Sequence, residues 1–158
     1  MLLVRNCQKH FFLTNLFIGS YYMTTSISQG AKANYSGKQL EAEVEAILRA
    51  LDLDYQREVR FTDCYGNSRS RMDFMVDDLA IECKRQNVSG TADQKIPFVY
   101  ENLSMFKKGL LVLDGEHFRR REGIITYLNA KRSSFFDWCF VEDLQEKLLE
   151  QTENGAAT

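Results

Sequence analysis

Residues 71–86 read RMDFMVDDLAIECKRQ. Met72, Phe74 and Val76 alternate with Asp73 and Met75. After Asp77-Asp78, Leu79, Ile81 and Cys83 alternate with Ala80, Glu82 and Lys84. That period of two, broken by a pair of turn-forming residues, predicts strand, turn, strand. Three charges interrupt what otherwise reads as a buried hairpin. Burying an ion costs several kcal/mol unless something offsets it. Either these charges lie on a solvated face, or they are grouped for a purpose.

A two-residue turn at Asp77-Asp78 sets Val76 across from Leu79, Phe74 across from Ile81 and Asp73 across from Glu82. Directly opposed residues have Cβ atoms only ~4.5–5.5 Å apart. Lys84 projects from the same face as Glu82, two residues along. Met72, Phe74, Val76, Leu79, Ile81 and Cys83 take the other face and supply the core. Opposed like charges destabilise a hairpin unless a cation lies between them. Two carboxylates, water and a main-chain carbonyl form a donor set suited to Mg²⁺.

Upstream, Ser36 followed by Gln39 reads as a capping box. Leu40, Val44, Ile47, Leu48 and Leu51 then recur at helical spacing, predicting a helix over 37–51. Glu41 lies about 75° from the centre of that apolar stripe, a border position from which it would reach past the helix edge toward a sheet. Glu45 is its nearest rival. Residues 55–62 have strand composition, and Tyr65-Gly66-Asn67 reads as a turn.

Downstream, residues 87–91 (NVSGT) read as a loop. Residues 92–106 read as a helix in which Pro97 sits near the start of the regular part or kinks it. GLLVLDG (109–115) is an almost continuous apolar strand, 118–132 a helix, 135–141 a strand and 142–151 a closing helix. The expected fold is therefore α/β: a mixed sheet with an N-terminal helix, a three-strand meander and helical crossovers. One domain spans 36–151. Residues 1–35 read as a flexible, non-core extension and 152–158 as a disordered tail.

The 158 residues are 44% hydrophobic and 27% charged, with a net charge of −2. Such a composition fits one soluble globular domain and gives no global basic field. The acids Glu142, Asp143, Glu146, Glu150 and Glu153 crowd the C-terminus against the single base Lys147. Basic clusters stand at Arg69/Arg71, Lys84-Arg85, Lys107-Lys108, Arg119-Arg120-Arg121 and Lys131-Arg132. Local patches of this kind bind phosphates in spite of an acidic total. For any single cluster, a solvated surface is the plain alternative.

Four cysteines without a CxxC pair, and two histidines, speak against a structural zinc site and a disulfide framework. A reducing, cytoplasmic setting is expected. Residues 1–40 contain no acid, and FFLTNLFIGSYYM (11–23) is apolar but too short to span a membrane. It reads as a signal-peptide core, as a transit peptide, or as an extension upstream of a natural start at Met23. The last reading is preferred, and the other two stay open.

In these residues the chain resembles the PD-(D/E)XK nuclease superfamily, with its restriction-endonuclease-like fold. The resemblance lies in Asp73 and then Glu82-Cys83-Lys84 on a strand–turn–strand, after a helix bearing Glu41, and it covers about 36–141. Gln86 matches a glutamine that some members carry two residues after the lysine. The proline that names the motif is absent, and Met72 stands there. Chance predicts about one [DE]-x-K match in such a composition. Two occur, and the second, Asp93-Gln94-Lys95, lacks an alternating apolar frame. Asp93 is most simply an acid in a helix first turn.

The resemblance implies a Mg²⁺-dependent DNA endonuclease, with Mn²⁺ able to substitute. Asp73 and Glu82, with the Cys83 carbonyl, would hold the cation against a phosphate oxygen. Lys84 would orient or help deprotonate the attacking water. Glu41 would hold a second cation or its water shell, and Gln86 would position the nucleophile. The plain alternatives are an exposed helix residue for Glu41 and a polar strand end for Gln86. Ser89, Gly90, Thr91 and Lys95 would hold a phosphate where the loop enters a helix. A turn with an N-cap is the alternative there. Arg119, Arg120 and Arg121 would grip backbone phosphates, unless they form only a solvated face.

Gly30…Gly37-Lys38 misses the phosphate-loop spacing and has no preceding strand, which excludes a P-loop triphosphatase. With no GxSxG and few histidines, a triad hydrolase is excluded too. The remaining rival is a non-catalytic nucleic-acid-binding or assembly module on the same fold. The joint presence of Asp73, Glu82 and Lys84 argues against it. Restriction, homing, resolvase, repair and phage-type nucleases all stay open, as does RNA beside duplex or branched DNA. So small a domain favours a homodimer acting on both strands, or a structure-selective enzyme.

Overall fold

The computed structural model describes residues 29–155. The expectations about residues 1–28, including the start at Met23, and about residues 156–158 lie outside the described residues. Helix α1 (Gln29–Ala50) is followed by strands β1 (Gln56–Phe61), β2 (Ser70–Val76) and β3 (Leu79–Arg85). Helix α2 (Ile96–Leu103) leads to β4 (Lys108–Asp114). Short helix α3 (Glu116–Arg119) and helix α4 (Glu122–Lys131) lead to β5 (Phe136–Phe140), and α5 (Leu144–Gly155) closes the order.

The five strands form one mixed sheet in the order β1-β2-β3-β4-β5. The first two pairings are antiparallel and the last two parallel. A parallel pair needs a long crossover, which α2 supplies between β3 and β4, and α3 with α4 between β4 and β5. The predicted meander with crossovers is the observed topology. The hairpin register is as predicted where Val76 opposes Leu79 and Phe74 opposes Ile81, but the expected pairing of Asp73 with Glu82 does not form.

Both faces of the sheet are covered. On one face, Leu40, Val44 and Leu48 of α1 and Leu144 and Leu148 of α5 pack on Phe74, Ile81, Leu110 and Val112. On the other, Ile96, Val99 and Leu103 of α2 pack with Phe118, Leu128, Ala80, Leu111, Leu113, Phe136 and Trp138. Strand β4 sends alternate residues to each cluster, which is why its sequence is almost continuously apolar. Each fully buried Leu or Phe contributes on the order of 1.5–3 kcal/mol.

Several boundaries differ from expectation. Helix α1 begins at Gln29, so Ser36 lies inside it rather than capping it, and the expected lead-in is partly helical. Ala31-Lys32-Ala33 are strong helix formers, and no proline stops the chain there. The segment expected as one helix over 92–106 is a 3-10 turn, Asp93–Lys95, and then α2, with Pro97 in its first turn where the missing N–H costs nothing. The segment 118–132 breaks at Arg121, which leaves the helical conformation at φ −97° and ψ 77° while its side chain pairs with Asp93. Helix α5 runs to Gly155, past the predicted end at Gln151.

Met72 is a correction. Alternation places it with Phe74, but it packs in the opposite cluster, with α2. The reason is a fork in β2. Neither the Glu58–Asp73 nor the Asp73–Glu82 pairing forms, and Glu58 has a positive φ of 53°. Beyond the fork the strand turns Met72 to the other face.

Gly115 ends β4 at φ +104°, and a Cβ built there would lie 2.3 Å from the Gln86 carbonyl oxygen. Gly115→Ala therefore meets both backbone strain and a clash with main chain. It is expected to destabilise the domain by at least about 2 kcal/mol, read from the denaturation midpoint. Gly123→Ala, with open space around its Cβ position, is the control.

Candidate active site

The site grows out of that fork. A regular antiparallel ladder would continue with the Cys83 N–H donating to the Met72 carbonyl. Instead Asp73 Oδ2 accepts the Cys83 N–H at 2.7 Å. A side chain has replaced a rung of the ladder, and the two strands separate beside it. Glu82 and Lys84 share the face of β3 that α2 covers, so they are largely enclosed, with side chains 15% and 23% exposed.

Lys84 Nζ donates to Glu82 Oε1 and, at 3.2 Å, to the Cys83 carbonyl. The ammonium thus lies among two of the donors that the family resemblance assigns to a metal. Asp73, Glu82 and Lys84 leave one net negative charge in an enclosed place. Burial lifts the Glu82 carboxyl to about 7; Lys84 opposes that rise and Asp73 adds to it. Burial also raises Asp73, against the pull of Lys84 and the Cys83 N–H. Burial disfavours the Lys84 ammonium, but Glu82 and Asp73 outweigh it and the net shift is upward. Burial beside these carboxylates pushes the Cys83 thiol well above its ordinary value, so the useful donor of Cys83 is its carbonyl.

Among the described residues, no three His, Cys, Asp or Glu side chains converge as a metal cage. The donors on hand are two carboxylates and a main-chain carbonyl, all hard oxygen, with a cationic group already drawn among them. That set fits Mg²⁺ or Mn²⁺, which complete their coordination with water and substrate. A raised acid pKa also gives a pH signature. Between the ordinary carboxylate value of 4.5 and about 7, folded Glu82 holds a proton that the unfolded chain has lost. Stability without metal should therefore fall as pH rises through that window. Divalent-ion affinity should do the opposite, weakening by up to about tenfold per pH unit below 7 and levelling above it. Calorimetric titrations at several pH values check both signs.

Glu41 sits on α1, half-buried, and pairs with Arg57 at 3.1 Å. Burial raises its pKa, and the next contribution is the charge of Asp73. Glu45, the rival, is held by Tyr55, Arg49 and Arg57. Glu41 is thus the helix acid that feels the fork. Arg57, which sequence reading passed over, joins the two acids to β1; nothing in the alternation of that strand marks it.

A cleft of about 180 Å³ opens onto Glu82 and Lys84, with Met72, Arg71, Lys95 and Phe98 among its walls. Gln86 is not among them. Its Oε1 accepts the Asp93 N–H at 3.1 Å, and its buried Nε2 has no hydrogen-bond partner among the described residues. Asp93 in turn holds His117 and Arg121, each at 3.2 Å, which accounts for the second [DE]-x-K as an anchor. Ser89, Gly90 and Thr91 are exposed at the carboxyl end of β3. The helical turn that follows starts from Ala92 without a side-chain cap, so Thr91 does not cap it. Arg119 is bidentate to Glu142 and lies over Phe140 at 4.4 Å, and Arg120 pairs with Glu116.

An α/β sheet flanked by helices, with an Asp and a Glu-x-Lys at a strand fork, is a restriction-endonuclease-like core. Over residues 32–152 the chain matches the family model described as PD-(D/E)XK nuclease superfamily domain, and it belongs to that family. No curated protein and no solved structure matches the chain. Among the described residues, no helix is long and apolar enough to cross a membrane.

Proposed function

We propose that the protein is a metal-dependent endonuclease that hydrolyses phosphodiester bonds in DNA. The observation that carries this reading is the enclosed Asp73–Glu82–Lys84 group at the strand fork, with the Cys83 carbonyl beside it and with Glu82 and Lys84 opening onto a cleft. Asp73, Glu82 and the Cys83 carbonyl would hold a divalent cation. When bound, Mg²⁺ supplies Lewis acidity toward the phosphate and acidifies the attacking water.

The remaining steps belong to side chains. Lys84, released from Glu82, donates hydrogen bonds that orient the attacking water and offset charge developing on the phosphate. Glu41 orders the water shell on the α1 side of Asp73. Gln86 lies outside the cleft; its buried Nε2, without a partner among the described residues, would be a donor for a phosphate oxygen at the carboxyl end of β3. Lys95 on the cleft wall, the Ser89–Gly90–Thr91 loop and Arg121 with Arg120 beside it contact flanking phosphates. Arg119 is committed to Glu142 and serves that surface mainly by holding it. A homodimer would bring a second such site to the opposite strand.

The test is incubation of plasmid, linear duplex, single strand, flap and four-way junction with Mg²⁺, Mn²⁺ or EDTA. Metal-dependent cutting is expected, and the preferred substrate selects the subclass. Binding in EDTA should weaken steeply with salt, by a log–log slope of about −0.9 per phosphate contacted on duplex DNA. No cutting of any substrate in either metal would overturn the reading in favour of a non-catalytic module.

A further inference from the structure

The loop between β1 and β2 carries an exposed aromatic ring beside the cleft. Tyr65 is 84% exposed. Its inner face stacks on Phe98, with ring centroids 5.2 Å apart and planes 19° from parallel. Phe98 lines the cleft that holds Glu82 and Lys84. An exposed ring gains little from such an arrangement in the free protein, since most of its surface stays in water.

The loop is nonetheless rigidly built. Buried Asp63 accepts the Tyr65 N–H at 3.0 Å, the Asn67 N–H at 2.9 Å and the Ser70 hydroxyl at 2.7 Å. These bonds, that of Ser70 foremost, hold its carboxyl below the ordinary range. The Cys64 N–H is tied to Asn102 Oδ1 at 3.0 Å, on α2. Gly66 takes φ +82°, which only glycine adopts without strain, and its N–H returns to the Asp63 carbonyl at 2.8 Å. Tyr65 is thus presented by a fixed loop and has little freedom left to lose on stacking.

We infer that Tyr65, backed by Phe98, is a stacking platform for an unpaired nucleobase, so that the substrate is DNA with unpaired nucleotides next to the bond that is cut. This rests on the nuclease reading and adds the substrate class to it. Three features converge on it. The free ring face is a sequence-tolerant surface for a base. Lys95, on the same cleft, forms no ion pair among the described residues and is available to a phosphate. Arg71 supplies a second charge from the cleft wall and, among the described residues, forms an ion pair only with the half-exposed Glu58. A base in a closed duplex offers no free face to such a platform.

The experiment measures affinity by fluorescence anisotropy in EDTA, with the full chain. The probes are a blunt duplex, the same duplex with a short single-stranded end, and that end with abasic sites in place of its bases. Wild type should favour the base-bearing end over the blunt duplex. Tyr65→Ala should lose about 10-fold or more on the base-bearing end and nothing further on the abasic one. Tyr65→Phe, which keeps the ring face, should bind as wild type. Equal losses on base-bearing and abasic ends, or no loss, overturn the platform and assign Tyr65 to a protein contact. If wild type still cuts DNA with Mg²⁺, the nuclease reading survives that outcome. If wild type neither binds nor cuts any DNA, both fall together.

Discussion

Replacing Asp73 or Glu82 with alanine is expected to abolish metal-dependent cleavage, by on the order of 10³-fold or more, while the chain stays folded. The two variants should differ in stability for a reason visible at the fork. Glu82→Ala removes a carboxylate that burial already disfavours and leaves Asp73 balanced against Lys84. Its metal-free melting temperature should hold or rise at neutral pH. Asp73→Ala removes the acceptor of the Cys83 N–H, and a buried donor left without a partner costs about 1–3 kcal/mol. Asp73→Asn keeps an acceptor and should recover most of that loss without recovering activity. Cleavage assays beside thermal melts separate the two effects. Wild-type activity in either alanine variant would remove the site.

Lys84→Met is expected to uncouple metal binding from chemistry. The ammonium now neutralises part of the Asp73–Glu82 pair and engages Glu82 and the Cys83 carbonyl. Without it, two enclosed carboxylates share one site unbalanced, and breaking a buried pair in this way costs about 3–5 kcal/mol. A divalent cation would restore the balance. Added Mg²⁺ should therefore raise the melting temperature of Lys84→Met by more than that of wild type, while cleavage falls by about 10²–10³-fold. An unchanged rate would deny Lys84 a catalytic role. An unchanged response to Mg²⁺ would mean that the ammonium and the cation do not share those donors.

Much of this arrangement was legible before the fold was known. The alternation of Phe74, Val76, Leu79 and Ile81 around Asp77-Asp78 sets the register, because slipping by one residue would turn every apolar side chain to the wrong face. That register stops at Phe74 and Ile81: the expected Asp73–Glu82 pair does not form, and the Asp73 carboxylate takes the Cys83 N–H instead. The helix angle that marks Glu41 as a border position is also legible in the sequence, and burial, followed by the charge of Asp73, raises the Glu41 carboxyl. The fork itself was hidden, since alternation carries no sign that the Asp73 carboxylate replaces a backbone carbonyl. For that reason Met72 was assigned to the wrong face. The enclosure of Glu82 and Lys84 was hidden too, because it depends on where α2 lands after the crossover. Tyr65 reads only as a turn residue for a similar reason. Its significance lies in its contact with Phe98, 33 residues along the chain, which no local pattern encodes.

A titration of Mn²⁺ into the metal-free chain at pH 7.5, read by calorimetry or by the ion's paramagnetic resonance, decides whether Asp73 and Glu82 hold a cation. Wild type, Asp73→Asn and Glu82→Gln would be compared. The site described here predicts binding in wild type that is lost or severely weakened in both variants, whose side chains are nearly the same size but uncharged. Equal binding in all three, or none in wild type, would contradict it.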